Sequence, residues 1–269
     1  MEVIFHFLSF VHIMMTSITL VFFCLFILAI SGEAWYSYRT QKGWYDTPDT
    51  LVSISFGVLG VLTRILLKGG SLACWFWLYE WSPLRMGSSA GYIFLLFLCN
   101  ELIYYWFHRI SHEVRFFWAT HVNHHSSMTL NFSTATRTPF LNAVYHTLFW
   151  VPLPLLGFHP ADILMVETVS FFFAFFQHTQ MVPRLGWIGW VLNTPSHHRV
   201  HHASNPAYRD KNFGNVLIIF DRLFGTFVPE GEPPVYGISN NPANRNFVNL
   251  VFHEWRDLIH DMLRRPRHT

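Results

Sequence analysis

Charge is scarce in this chain: only 13% of its 269 residues are Asp, Glu, Lys or Arg, against 51% hydrophobic and 18% aromatic. So thin a polar complement excludes an ordinary soluble domain and indicates a membrane protein. Cysteine is scarcer still. Cys24, Cys74 and Cys99 lie in apolar stretches, are odd in number and have no CxxC spacing, which excludes a disulfide framework and a thiolate metal site. No GxGxxG or P-loop motif occurs, so the chain has no recognisable site for a nicotinamide or flavin of its own. The net charge of +2 is too small to argue for nucleic acid. The N-terminus has neither a basic start nor a small-residue cleavage site and is expected to stay attached.

What the chain does have is long apolar runs. Val11 to Ile30 is uncharged and long enough to cross a bilayer. Further runs occupy Leu51 to Leu67, Gly91 to Phe107, Phe140 to Phe158 and Ala161 to Phe176. Ser71 to Trp81 is too short to span and, with Trp75, Trp77, Tyr79 and Trp81, reads as an interfacial or re-entrant piece or as core packing. The expected fold is therefore an all-α integral membrane protein with four or five spans. The expected regions are 1–90 (transmembrane and interfacial), 91–229 (a central domain) and 230–269 (a polar tail).

Histidine is abundant, and its spacing is the chemical signal. Ten of seventeen histidines fall in HRISH (His108, His112), HVNHH (His121, His124, His125), a lone His178, and HHRVHH (His197, His198, His201, His202). Residues three or four apart share a helical face, so each cluster aims several imidazoles together. One ion cannot use so many, and a two-metal site is expected. His6, His12, His159, His253, His260 and His268 read as ordinary polar residues.

The clusters are expected to meet at one membrane face. His108 and His112 follow one span and the His121 cluster precedes the next. The turn Gly157, Phe158, His159, Pro160 then sends two spans out and back, returning His178 to the side it left. Fifteen of the eighteen lysines and arginines fall on that side, all but Arg64, Lys68 and Arg85, which makes it cytoplasmic by the positive-inside rule. The short apolar segment Val216 to Phe220 is expected to lay the C-terminal part onto the spans and close the site. RRPRHT reads as a solvated tail.

Imidazole suits iron, zinc and copper and leaves the metal's charge largely uncompensated, so nearby carboxylates matter. Glu101 and Glu167 sit in apolar spans, where ionisable residues are functional candidates. Glu101, two turns before His108, is expected to orient a histidine or to serve structure. Asn193, Asp210 and Asp221 are weaker candidates. A surplus of imidazoles favours two irons over a four-ligand zinc site, although zinc can take their place in purified protein. Electrons are then expected from outside, from a donor protein or a diffusible reductant.

HRISH, HVNHH and NTPSHHRVHH, running into DKNFGNVLIIFDRLFGTF, resemble the fatty acid hydroxylase superfamily, which includes sterol desaturases. Within it the chain is similar to the bacterial sterol desaturase-like proteins and the alkylglycerol monooxygenases. The resemblance covers roughly Gly91 to Pro229. It implies a four-helix membrane core with a cytosolic helical cap, a bacterial inner-membrane location, a histidine-held dimetal centre, and oxidation of lipid C–H bonds with dioxygen. It assigns metal binding to His108, His112, His121, His124, His125, His198, His201 and His202, with His178 matching a further family histidine. His197 is set apart, because adjacent helical residues point about 100° apart. Two departures are Val182, where some relatives carry another histidine, and Asn100, where an acid is common.

Hydroxylation and desaturation share their first hydrogen abstraction, and the sequence does not separate them. The lipid is expected to enter sideways with its oily chain between the spans, near Phe171, Phe172, Phe173, Phe175 and Phe176. A histidine-rich membrane metal transporter or sensor is the rival reading; it predicts ligands along a pathway near the bilayer midplane. A metalloprotease is disfavoured, because HEVRF lacks the second histidine of HExxH.

Overall fold

The computed structural model describes residues 2–87, 89–138 and 141–264, with side chains from Leu20 onwards. Among these residues the fold is helical, with no strand beyond two isolated bridges, Leu192 with Leu217 and Ala203 with Tyr236. Three helices are long and apolar enough to cross a membrane: the Leu20–Arg39 part of α1 (Glu2–Arg39), α2 (Thr47–Trp81) and α3 (Ala90–Glu113). The chain is a membrane protein. Its remaining apolar runs form the hairpin α5 (Asn142–Trp150), α6 (Pro152–Leu155) and α7 (Pro160–Phe175).

Local chemistry sets these boundaries. Asp46 caps α2 by accepting from the Asp49 amide at 3.0 Å, and α2 ends at Ser82, whose extended backbone suits the following Pro83. Ser89 caps α3 through the Tyr92 amide at 3.2 Å. The run from Phe140 is not one helix. Pro152 and Pro154 divide it, since proline removes a backbone donor and clashes with the preceding turn. Phe140 itself lies outside the described residues. The reversal into α7 uses Gly157 at φ +87°, where a β-carbon would come within 2.7 Å of the Leu84 carbonyl oxygen.

Two expectations need correction. Ser71 to Trp81 is no separate interfacial piece but the last turns of α2, a 35-residue helix about 50 Å long at the helical rise. Gly69 and Gly70 precede it, but a glycine pair costs a helix far less than a proline does. Within the stretch expected to be a polar tail, Phe247–Leu263 forms α10. Its Leu250 and Val251 pack on Phe56 of α2, and its Glu254 and Asp261 pair with Arg115 of α4 (Arg115–His125). The end of RRPRHT, from Arg265, lies outside the described residues.

At the histidine end, a buried ion pair locks α2 to the cap. Arg137, fully buried, donates to Asp49 Oδ1 at 2.6 Å, Ser53 Oγ at 2.9 Å and Ser126 Oγ at 2.8 Å. Removing one partner of such a pair strands a buried charge. Asp49→Asn is expected to cost about 3 to 5 kcal/mol in stability, read as a lowered unfolding temperature in detergent; an unchanged temperature would contradict the role given to this pair.

Candidate metal centre

Nine imidazoles from four places in the chain meet at the end of the spans, as the sequence predicts. They form two groups: His108, His112, His121, His125 and His201, and His124, His178, His198 and His202. Within each group one ligand atom per residue lies within 4.8 Å of all the others. The groups adjoin. The rings of His125 and His202, one from each, stack at 4.5 Å.

The division cuts across the sequence clusters. α4 gives His121 and His125 to one group and His124 to the other. α8 (Pro195–His201) and the residue after it do the reverse, with His198 and His202 in one group and His201 in the other. At about 100° per residue, side chains four apart diverge by only about 40°, whereas neighbours diverge by about 100°. Pairs four apart therefore fall in the same group, and the histidine beside the second member turns to the other.

The donor set fits metal ions. A carbonyl can only accept, so each Nδ1 bonded to one must carry the proton and leave Nε2 with its lone pair. That tautomer is imposed on His108 by the Phe213 carbonyl (2.8 Å), on His201 by Lys211 (2.9 Å), on His178 by Ala174 (2.9 Å) and on His124 by Arg137 (3.3 Å). His112 Nδ1 faces Asp210 at 3.4 Å. The Nε2 atoms of His108, His112 and His201 are buried without a hydrogen-bond partner. Others crowd one another: His178 and His198 Nε2 at 2.9 Å, His198 and His202 at 3.1 Å, His121 and His125 at 3.2 Å. Ligands about 2.1 Å from one ion stand about 3.0 to 3.4 Å apart, which is the spacing seen.

Burial keeps these rings neutral, as ligation requires. The imidazoles of His121, His124, His125, His198, His201 and His202 are held well below the ordinary range, first by burial and then by neighbouring histidines. That of His178 is lowered to about 4 by burial, against the two backbone carbonyls that raise it. A histidine depressed in the fold binds its proton first in the unfolded chain. The metal-free protein should therefore have its full stability above about pH 6.5 and lose it as the pH falls, at up to about 1.4 kcal/mol per pH unit for each such histidine. Unfolding temperatures of chelator-treated protein between pH 7.5 and 5 test this, and a flat profile would contradict it.

One loop supports the inner edge of the centre. Residues 211–217 present the carbonyls that hold His201 and His108, and are themselves fastened throughout. Asp221 accepts from the amides of Phe213 and Gly214, both at 2.7 Å. Glu101 accepts from Val216 (2.7 Å) and Leu217 (3.0 Å), Gln177 donates to the Asn215 carbonyl (2.6 Å), and Asn193 donates to the Gly214 carbonyl. Glu101 and Asn193 thus meet no histidine; they hold the strip of backbone that orients His108 and His201. Val216 to Phe220 does lay this part of the chain on α3, with α9 (Ile219–Phe224) against Tyr105 and Trp106.

His197 is outside both groups. Its Nδ1 accepts from the Thr194 amide at 3.4 Å, completing a capping box at the start of α8, and its ring meets the edge of Phe227. The sequence reading missed Glu33, which accepts from Tyr45 Oη (2.7 Å), the Phe132 amide (2.7 Å) and Thr179 Oγ1, tying α1 to the residue after His178. Its one signal is position: it is the first acid after the charge-free run. The phenylalanines of α7 largely pack on α1, Phe172 stacking on Phe22 at 4.2 Å and Phe175 on Phe26 at 4.0 Å.

Residues 93–226 match the fatty acid hydroxylase family. The chain is 38% identical to alkylglycerol monooxygenase of Xenopus tropicalis over 84% of its own length and 50% of the relative's. It is 37% identical to the Homo sapiens protein of that name, over 86% and 52% respectively. It is 31% identical to ornithine lipid hydroxylase OlsE of Rhizobium tropici, over 65% and 52%. The chain thus spans about half the length of these curated relatives. No solved structure matches it significantly.

Proposed function

Through residues 93–226 the chain belongs to the fatty acid hydroxylase family, and on that premise we propose that it is a membrane-bound di-iron oxygenase acting on a lipid C–H bond. The observation that carries the reading is the pair of converging imidazole groups, with buried and unpartnered Nε2 atoms, at the end of the membrane helices. His108, His112, His121, His125 and His201 would hold one iron, and His124, His178, His198 and His202 the other. Iron bound there, with dioxygen and external electrons, supplies the oxidation of an unactivated C–H bond, which side chains cannot perform unaided.

The residues of this chain do the positioning. The carbonyls of Phe213, Lys211, Ala174 and Arg137 fix the tautomers, and Glu101, Asp221 and Asn193 fix the strip that carries two of them. Trp118 lies 5.2 Å from His112 and 5.7 Å from His125, and Phe213 lies 5.1 Å from His112, so aromatic surface excludes water from the five-histidine group. The four-histidine group leaves more coordination positions to external ligands. With no nucleotide motif in the chain, a separate donor protein or diffusible reductant supplies the electrons at the cap, on the cytoplasmic side of what we take to be a bacterial inner membrane.

The relatives' names make hydroxylation the first outcome to test. Lipid mass spectrometry of cells with and without the protein should show one lipid class gaining an oxygen atom. Loss of two hydrogens would instead mean desaturation, and an unchanged lipidome under iron-replete aeration would contradict the proposal.

A further inference from the structure

Below the histidines, one flank of the bundle carries charge. α2 packs along α5, α6 and α7, and α3 packs along α5 and α7, which sets α2 and α3 diagonally across the bundle. Ionisable groups from three helices meet there, Arg64 and Lys68 exposed and His146 and Glu167 half-buried. His146 of α5 has its Nε2 3.2 Å from Glu167 Oε1 of α7, and its ring lies stacked on Trp150 at 3.8 Å. The Arg64 guanidinium of α2 lies 4.5 Å over the face of Phe171, one turn along α7 from Glu167. Lys68 follows one turn after Arg64, and both cations lie within electrostatic reach of Glu167.

The charges do not balance. Arg64 and Lys68 bring two positive charges, Glu167 one negative, and His146 beside them is no anion. The other acid at this depth, Glu101, is committed to the Val216 and Leu217 amides. Among the described residues neither Arg64 nor Lys68 has a hydrogen-bond acceptor. An unpaired cation among membrane helices is costly, and such residues pair or mark a ligand path. A guanidinium beside an ammonium lacks a carboxylate or a phosphate, which the planar fork binds through two parallel hydrogen bonds.

We propose that Arg64 and Lys68, set beside His146 and Glu167, form a subsite for the anionic head group, carboxylate or phosphate, of a lipid whose chain runs toward the histidines. Arg64 and Lys68 remain accessible, as does Phe171, so the subsite opens sideways between α2 and α7. From Glu167 to Phe175 is about 12 Å along α7, so head group and metal centre are separate sites. The inclusion of the histidines as the chain's destination rests on the oxygenase reading; the anion subsite does not.

The test is lipid retention by the full metal-loaded chain in detergent. Oleate, dioleoylphosphatidylglycerol and the neutral dioleoylglycerol are offered separately and bound lipid is counted by native mass spectrometry. Wild-type protein should retain at least one anionic probe about tenfold better than the neutral one, oleate alone indicating a carboxylate site and phosphatidylglycerol alone a phosphate site. R64Q/K68Q should abolish that preference, R64K should keep most of it, and E167Q should strengthen it by removing the competing carboxylate. Metal content, unchanged in all of them, reports folding. Equal retention of neutral lipid, a preference that survives R64Q/K68Q, or an E167Q variant that weakens it would overturn the proposal. Retention without any lipid oxidation would instead count against the oxygenase reading alone.

Discussion

His124→Ala is expected to lose about one metal ion per chain and to retain less than about 1% of lipid-oxidising activity, with membrane insertion unchanged. His124 is one of only four imidazoles in its group, and its Nε2 stands 3.2 Å from that of His178. Three imidazoles hold an iron(II) ion less tightly than four, and no carboxylate stands ready in the group to replace the fourth. His201→Ala makes the contrast. It leaves four imidazoles in the other group, so this variant should keep more of its metal while still losing activity. The spans that insert the protein involve neither side chain. Metal analysis of both variants, purified from iron-replete cells, checks the split. Equal metal loss in both would argue that the nine histidines act as one undivided cluster.

Gly214→Ala is expected to weaken metal binding and the fold together, although it removes no ligand. A β-carbon at this position would lie 2.2 Å from the Leu217 carbonyl oxygen and 2.9 Å from Asp221 Oδ2. Neither can retreat cheaply, because Asp221 holds the Phe213 and Gly214 amides and Glu101 holds those of Val216 and Leu217. Relief must displace the Phe213 carbonyl that fixes the tautomer of His108. Overpacking with broken buried hydrogen bonds should cost about 2 to 4 kcal/mol. Loss of an outer hydrogen bond to a ligand should weaken metal binding about 10- to 100-fold. Thermal unfolding and metal titration read the two effects separately. Gly32→Ala, at a helical position with open space around it, should be neutral or slightly stabilising. If Gly214→Ala unfolded and bound metal like wild type, the loop would not be supporting the centre.

The helical class, the out-and-back hairpin at Gly157 to Pro160 and the meeting of the histidine clusters at one end were all legible in the sequence. Those features follow from hydropathy and short-range spacing. The allocation of ligands was not. The readings that treat His121, His124 and His125 as one face overlook the angle between neighbours, which sends His124 to a different group. Contacts between distant residues were hidden for a different reason. Glu33 with Thr179, and Asp49 with Arg137, pair across 146 and 88 positions, so nothing local marks them as supports of the centre. Glu101 shows the limit well. Its cost in an apolar span marks it as consequential, yet its acceptors' partners, two backbone amides more than a hundred residues away, could not be named in advance.

The most direct test of the whole account is the number of iron ions bound per chain in freshly purified, iron-replete protein, measured by elemental analysis against quantitative amino-acid analysis. Two ions per chain are expected from a five-histidine and a four-histidine group lying side by side. One ion or none at saturating iron would contradict it.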